Sequence, residues 1–342
     1  MSAHPAQTVE AVIVGAGMAG LTLAHALAGA GIEVAVVDRV APGNFTDSAF
    51  DGRTTAIATG SANVLAGIGL WSDLAPKSCP IDTIRVSDGD SLMFLHFDHR
   101  EVGDDPMGYI LENRDIRGAL LAAAGASANI DLIAPATIEA VTRNSGGVSI
   151  RLDDGREIRA RVIFACDGRG SSLRRDARIP VTEWRYDQSS FVCTIAHERP
   201  HQNIAHERFL PGGPFAILPM RDLDAPLESP AGPLRHAASI VWSESNDLVP
   251  AIKAFDDAAF IAELGQRVGG FLGEIALAVL ERHRAGACRP RSGPGHRQRH
   301  PGGAEILHAP RHGRGRRPAP AGARRGAVAL RRFGDFRAAT SN

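Results

Sequence analysis

The first strong pattern in the chain is a 22-residue stretch, residues 11–32, that carries no formal charge. A stretch that long could span a bilayer, but its internal order argues otherwise. The β-branched block Val12-Ile13-Val14 gives way to Gly15, Gly17 and Gly20 and then to an Ala/Leu-rich segment. This predicts a strand over 9–14, a tight turn, a helix through about Ala30 and a second strand from Glu33 to Val37, with Asp38 at its end. The first Lys or Arg is Arg39, so the basic region that opens a secretory signal is absent and the N-terminus is expected to stay in the mature protein. Further on, residues 81–98, 189–196, 213–220 and 236–243 alternate apolar and polar positions as strands do, with a Pro-rich loop near 225–234. An antiparallel or mixed sheet in a second domain is expected there. Asp256 is placed to cap a helix carrying Phe260, Ile261, Leu264 and Val268 at three- and four-residue spacing.

The turn after the first strand reads Gly15-Ala16-Gly17-Met18-Ala19-Gly20, the spacing of a dinucleotide-binding fingerprint. Gly15 permits the tight turn, Gly17 lets backbone approach a pyrophosphate, and Gly20 lets helix and strand pack closely. Unpaired N–H groups in the turn from Gly15 to Gly20, which holds Ala16, Met18 and Ala19, and the helix dipole would attract phosphates. Asp38 would accept from ribose hydroxyls. The motif points to an adenine dinucleotide and leaves NAD and FAD both open.

Composition narrows the class. Two Tyr and three Trp in 342 residues give no sign of a carbohydrate groove or a stacking platform for single strands. Cys79, Cys166, Cys193 and Cys288 form no CxxC pair, so neither structural zinc nor a disulfide framework is indicated, and a reducing compartment fits. No paired His spacing such as HExxH appears among the thirteen His, and no metal is expected. The zero net charge hides a split: residues 281–342 hold 15 Arg, no Lys and three acids, a net charge of +12 against −12 for residues 1–280. Arg, Gly, Ala and Pro fill 42 of those 62 positions and large apolar residues only six, a composition that cannot build a core.

Longer motifs decide between the cofactors. Asp51-Gly52-Arg53-Thr54-Thr55-Ala56, Glu112-Asn113-Arg114-Asp115-Ile116-Arg117, Ala165-Cys166-Asp167-Gly168-Arg169-Gly170-Ser171-Ser172-Leu173-Arg174 and Gly213 to Met220 follow one family's order. Residues 9 to about 280 resemble the FAD-dependent aromatic hydroxylases of the para-hydroxybenzoate hydroxylase fold, in the ubiquinone-biosynthesis branch of 2-polyprenyl-6-methoxyphenol hydroxylase type. The resemblance implies an α/β fold, with a Rossmann-like FAD-binding domain on a parallel sheet (1–80 and 99–178) and a mixed β-sheet substrate domain (81–98 and 179–280). It implies FAD as cofactor, NADPH or NADH as co-substrate, and a small phenolic substrate. Gly15, Gly17, Gly20 and Asp38 would hold the ADP half, with Arg39 on the adenosine side. Arg53 and Arg114 would lie along flavin and pyrophosphate, Ile138 would meet the adenine, and Asp167-Gly168 would lie beside FAD and nicotinamide. The strand from Phe215 to Pro219 would wall the substrate cavity. No catalytic acid or base is nominated. A cytoplasmic location is implied, with peripheral contact at the inner membrane and other ubiquinone-pathway enzymes as candidate partners, and no nucleic acid.

The family's second flavin motif, Gly-Asp-Ala-Ala-His followed by Pro and a Gly-Gln-Gly turn, has no match in residues 281–342; Gly334-Asp335 lacks the His and Pro that should follow. Two readings of this disordered basic tail compete. Arg, Gly, Ala and Pro have codons beginning with two G or C bases, as a GC-rich gene read out of frame would supply; a basic arm for nucleic acid or anionic surfaces is the other. The first is favoured, because the change begins where the motif should stand. Three functions follow: a flavin monooxygenase, an inactive truncated relative of one, or a binder acting through its tail. Without the second motif the flavin would be fixed at one end only, and the parallel sheet is expected to lose helices that cover it.

Overall fold

The strand predicted over 9–14 is broken near Glu10, because the chain changes sheets there. The Val9 N–H donates to Arg159, whereas the Glu10 and Ala11 N–H groups both donate to Glu33. The computed structural model describes residues 6–44, 53–89, 91, 93–183, 186–230 and 232–278. Asp51, Gly52 and the basic tail lie outside them.

In chain order the strands and α-helices are β1 (Gln7–Thr8), β2 (Ala11–Val14), α1 (Met18–Gly29), β3 (Val34–Val37), β4 (Thr54–Ala58), α2 (Thr59–Gly67), α3 (Trp71–Leu74), β5 (Cys79–Ile81), β6 (Thr83–Asp88) and β7 (Phe94–Asp98). There follow β8 (Gly108–Glu112), α4 (Asn113–Ala126), β9 (Ile130–Ile133), β10 (Ile138–Asn144), β11 (Gly147–Leu152), β12 (Glu157–Ala160), β13 (Val162–Ala165) and α5 (Ser172–Asp176). The last are β14 (Gln188–His197), β15 (Ile204–Leu210), β16 (Gly213–Met220), β17 (His236–Ser245), α6 (Val249–Lys253), α7 (Asp257–Val268) and β18 (Ile275–Leu277).

A parallel sheet in the order β13-β2-β3-β9 holds the predicted βαβ start. Its inner strands are apolar at every position because both faces are covered. Ile13, Val34 and Val36 pack with Leu21, Ala24, Leu120 and Ala124 on the helical side, under α1 and α4. Their alternates Val12, Ala35 and Val37 pack with Val148, Ile150, Leu152 and Ile158, contributed by a second sheet in the order β1-β12-β11-β10. Full burial of each such side chain is worth about 1.5–3 kcal/mol. The expectation that the parallel sheet stands uncovered without the family's C-terminal helices is therefore corrected for its inner strands. Only at the edge does it keep some force: in β13, Val162 is 42% exposed.

A seven-stranded sheet runs β18-β14-β17-β16-β15-β6-β7, antiparallel except where β15 meets β6. This is the mixed sheet expected from the alternating segments. One face packs Phe191, Phe215, Ile217, Ile240 and Trp242 against Phe260, Leu264 and Val268 of α7. The Asp256 carboxylate caps that helix by accepting from the Ala259 N–H at 2.8 Å. A three-stranded sheet, β4-β8-β5, meets the opposite face: Ile81 and Ile110 pack with Ala205, Met220 and Ala237. Among the described residues no helix is long and apolar enough to cross a membrane.

Candidate functional site

The Gly-rich turn joins β2 to α1, and its three glycines differ in what they allow. Gly15 has φ +107°, a conformation side chains resist, and a Cβ there would meet the Cys166 carbonyl oxygen at 2.3 Å. A Cβ on Gly20 would strike the Gly15 carbonyl oxygen at 1.8 Å. Both are demanded by close packing of helix, turn and β13. Gly17 is different: it is partly exposed and a Cβ there would meet nothing within 4 Å. It is also the N-cap of α1, makes no side-chain cap and is followed by no acidic residue in the first turn. The first-turn N–H groups have no intrahelical acceptor by construction. An uncapped helix end with open space over a glycine fits an incoming anion, so the residues present fit the ADP pyrophosphate of a dinucleotide.

Asp38, expected to meet the ribose, is used structurally as well. Its Oδ2 accepts from the Ala16 N–H at 2.6 Å and its Oδ1 from the Val40 N–H at 2.8 Å. It thereby fixes the turn to the end of β3, and each oxygen keeps a lone pair for another donor. The Ala136 N–H donates to the Asp38 carbonyl, which brings the segment entering β10, and so the partly buried Ile138, to the same end of the sheet. Arg39 is exposed next to it, Met18 packs on the helical core and Ala19 is exposed on α1.

The Asp167-Gly168 pair lies at the end of β13, beside Gly15. Asp167 Oδ2 accepts from Ser172 N–H at 2.8 Å and Oγ at 3.2 Å, holding the start of α5, while Oδ1 is buried with no hydrogen-bond partner among the described residues. Burial alone would raise this carboxyl; hydrogen bonds from Ser171, Ser172 and Leu173 outweigh it and hold it below the usual range. Gly168 has φ +81°, in the region that favours glycine.

The pairing of β4 with β8 sets the Arg53 backbone beside Asn113, the residue before Arg114. Thr54 faces Glu112 across that pair, and the Asn113 N–H donates to the Arg53 carbonyl at 3.1 Å. Arg114 pairs with Glu112 at 2.5 Å across the strand-to-helix junction. Burial raises the Glu112 carboxyl, against the pull of Arg114. Two residues that sequence reasoning passed over complete this corner. Asn113 is buried and accepts from Thr55 Oγ1 at 2.5 Å. Thr54 Oγ1 donates to Ser239 Oγ at 3.0 Å, joining this layer to the seven-stranded sheet. Both sat inside the quoted motifs, where polar residues flanking apolar strands were the available signal.

One expectation about side chains changes. Of the strand from Phe215 to Pro219, Phe215 and Ile217 point into the core under α7, so only the alternates Ala216 and Leu218 can face the β4-β8-β5 layer. The histidines divide: His197 is fully buried, 5.7 Å ring to ring from both His201 and His236, while His206 packs on Phe271 at 4.6 Å. Burial pushes His197 and His206 down to about 4. Among the described residues, no group of three or more His, Cys, Asp or Glu is placed to hold a metal ion.

The family described as FAD binding domain matches residues 8–223, from β1 to the loop beyond β16. The chain belongs to this FAD-binding family. FAD is accordingly its cofactor. Ubiquinone hydroxylase UbiL of Rhodospirillum rubrum is 42% identical over 269 residues, covering 79% of this chain and 59% of the relative. The 3-demethoxyubiquinol 3-hydroxylase of Escherichia coli is 30% identical over 285 residues, covering 81% and 69%. PqsL of Pseudomonas aeruginosa shares the fold, with a TM-score of 0.63 at 22% identity over 78% of this chain and 68% of its own. The chain thus spans about six-tenths of the length of UbiL.

Proposed function

We propose that this FAD-binding chain is a monooxygenase that hydroxylates a polyprenylated phenol of ubiquinone biosynthesis, using reduced nicotinamide and dioxygen. The observation that carries this reading is the FAD-binding match over residues 8–223 in a chain whose relatives UbiL and 3-demethoxyubiquinol 3-hydroxylase are hydroxylases of that quinone by name. When bound, FAD supplies hydride acceptance and oxygen activation; the protein supplies position and dryness.

In this reading the backbone of Gly15 to Gly20 binds the pyrophosphate at the N-terminus of α1, Asp38 accepts from the ribose, and Arg39 lies on the adenosine side. The backbone at Ile138 orients the adenine. Arg53 and Arg114 steer the flavin end, and Asp167 with Gly168 borders flavin and nicotinamide. The apolar face of the seven-stranded sheet excludes water from the phenol. The division into a cofactor domain (1–80, 99–178) and a substrate domain (81–98, 179–280) belongs to the same proposal. So do a cytoplasmic setting and a peripheral membrane contact, which would follow from a polyprenyl tail. Residues 281–342 carry no second flavin motif, so product formed per nicotinamide consumed should be low.

The test is to supply FAD, NADH or NADPH and a prenylated 2-methoxyphenol. Yellow protein, FAD-dependent nicotinamide oxidation and a phenol heavier by one oxygen atom support the reading. A colourless protein that gains no flavin and yields no product overturns it in favour of an inactive relative.

A further inference from the structure

The face of the seven-stranded sheet turned toward the β4-β8-β5 layer is largely apolar, with one carboxylate in its interior among the described residues. Register pairs Glu207 of β15 with Ala216 on one side and Val86 on the other. Alternation sets Ala205, Glu207 and Phe209 on one face, with Ala216, Leu218, Ile84 and Val86 as neighbours. Ala205 packs with Ile81 and Ile110, which identifies this as the face toward β5 and β8. Its sequence neighbours take the other side: His206 packs on Phe271 and Arg208 donates to the Arg267 carbonyl. Burial raises the Glu207 carboxyl to about 7, with no charged neighbour contributing.

The same face reaches the proposed flavin end through Ser239, the hydrogen-bond acceptor for Thr54. Ser239 pairs with Leu218, so Glu207 and Ser239 stand two strands and two residues apart, about 12 Å between Cα atoms.

Resting on the hydroxylase reading above, we infer that Glu207 is the base that takes the phenolic proton of the substrate on this inner face. The phenol O–H bond breaks, its electron pair stays on the phenolate oxygen and the proton passes to a Glu207 carboxylate oxygen; nothing is oxidised or reduced. The phenolate ring is richer in electrons than the phenol, and in an apolar site from which water is excluded a positioned side chain must take the proton. A base that titrates near neutrality serves best.

The experiment is calorimetric binding of 2-methoxy-6-prenylphenol to the full chain, with and without FAD, at pH 6 and pH 8, for wild type, Glu207→Gln and Glu207→Asp. Between these pH values the ionised fraction of a carboxyl titrating at about 7 rises from about one tenth to nine tenths. Wild-type affinity should rise about tenfold, Glu207→Gln should be flat and Glu207→Asp should keep a rise. Gln matches the neutral acid in shape, and an unchanged melt at pH 5 verifies the fold. A rise retained in Glu207→Gln, or no phenol binding by wild type, overturns the inference. A chain that binds no FAD but keeps the Glu207-dependent rise overturns the hydroxylase reading and supports the phenol site.

Discussion

Replacing Gly17 by Val separates cofactor binding from folding more cleanly than any other change in the turn. A Cβ at Gly17 meets nothing within 4 Å, and its φ −72° and ψ 177° are extended backbone that Val adopts readily. The folded apo-protein should lose no more than about 1 kcal/mol, the cost of a poorer N-cap, which shifts Tm by about 2–4 °C in a chain of this size. The new side chain, however, occupies the space through which a pyrophosphate would approach the first-turn N–H groups. Two charge-assisted hydrogen bonds lost at about 1.5–3 kcal/mol each predict FAD affinity weaker by about 10²- to 10⁴-fold. Calorimetry with FAD, paired with a thermal melt of the apo-protein, reads both effects. Equal FAD affinity in the two proteins would refute the placement of the pyrophosphate, and a melt that collapses would refute the claim that the position is sterically open.

Other changes should behave differently. Gly20→Ala places a Cβ 1.8 Å from the Gly15 carbonyl oxygen, so it should unfold the βαβ start or cost several kcal/mol by chemical denaturation, with or without FAD. Asp38→Asn keeps one acceptor where two backbone N–H groups now donate; stability should fall by about 1–2 kcal/mol and FAD affinity with it. His197 and His206 are held neutral, down from 6.5 to about 4, so the unfolded chain binds more protons between those values. Stability is then fully present above pH 6.5 and lost as pH falls toward 4, by up to about 3 kcal/mol for fully buried His197; His197→Gln should flatten that slope in denaturant titrations. Glu207 has the opposite sign: raised from 4.5 to about 7, its contribution is present below pH 4.5 and lost as pH rises through 7. Glu207→Gln should therefore raise Tm at pH 8 and leave it unchanged at pH 5.

The parts of this protein that were legible in the sequence are those where one local rule acts alone. Val12-Ile13-Val14 and Glu33 to Val37 read as strands, and the glycine spacing between them set the turn. The alternation at 189–196, 213–220 and 236–243 matched β14, β16 and β17. Strand β15 was missed because His206, Glu207 and Arg208 interrupt its apolar pattern; their burial comes from neighbouring strands and α7, which no local window contains. The same reason hid Glu207 as a candidate base. Thr54 and Ser239 are 185 residues apart, so their contact is set by how two sheets meet. The break at Glu10 follows from competition between two sheets for one backbone, and spacing alone carries no trace of it.

The measurement that tests the central claim most directly is incorporation of labelled oxygen. With FAD bound, NADPH supplied and ¹⁸O₂ as the only labelled reagent, the phenolic product should carry one ¹⁸O atom, in an amount well below the nicotinamide consumed, with hydrogen peroxide making up the difference. A chain that binds FAD and oxidises NADPH but leaves the phenol unlabelled would contradict the assignment as a hydroxylase.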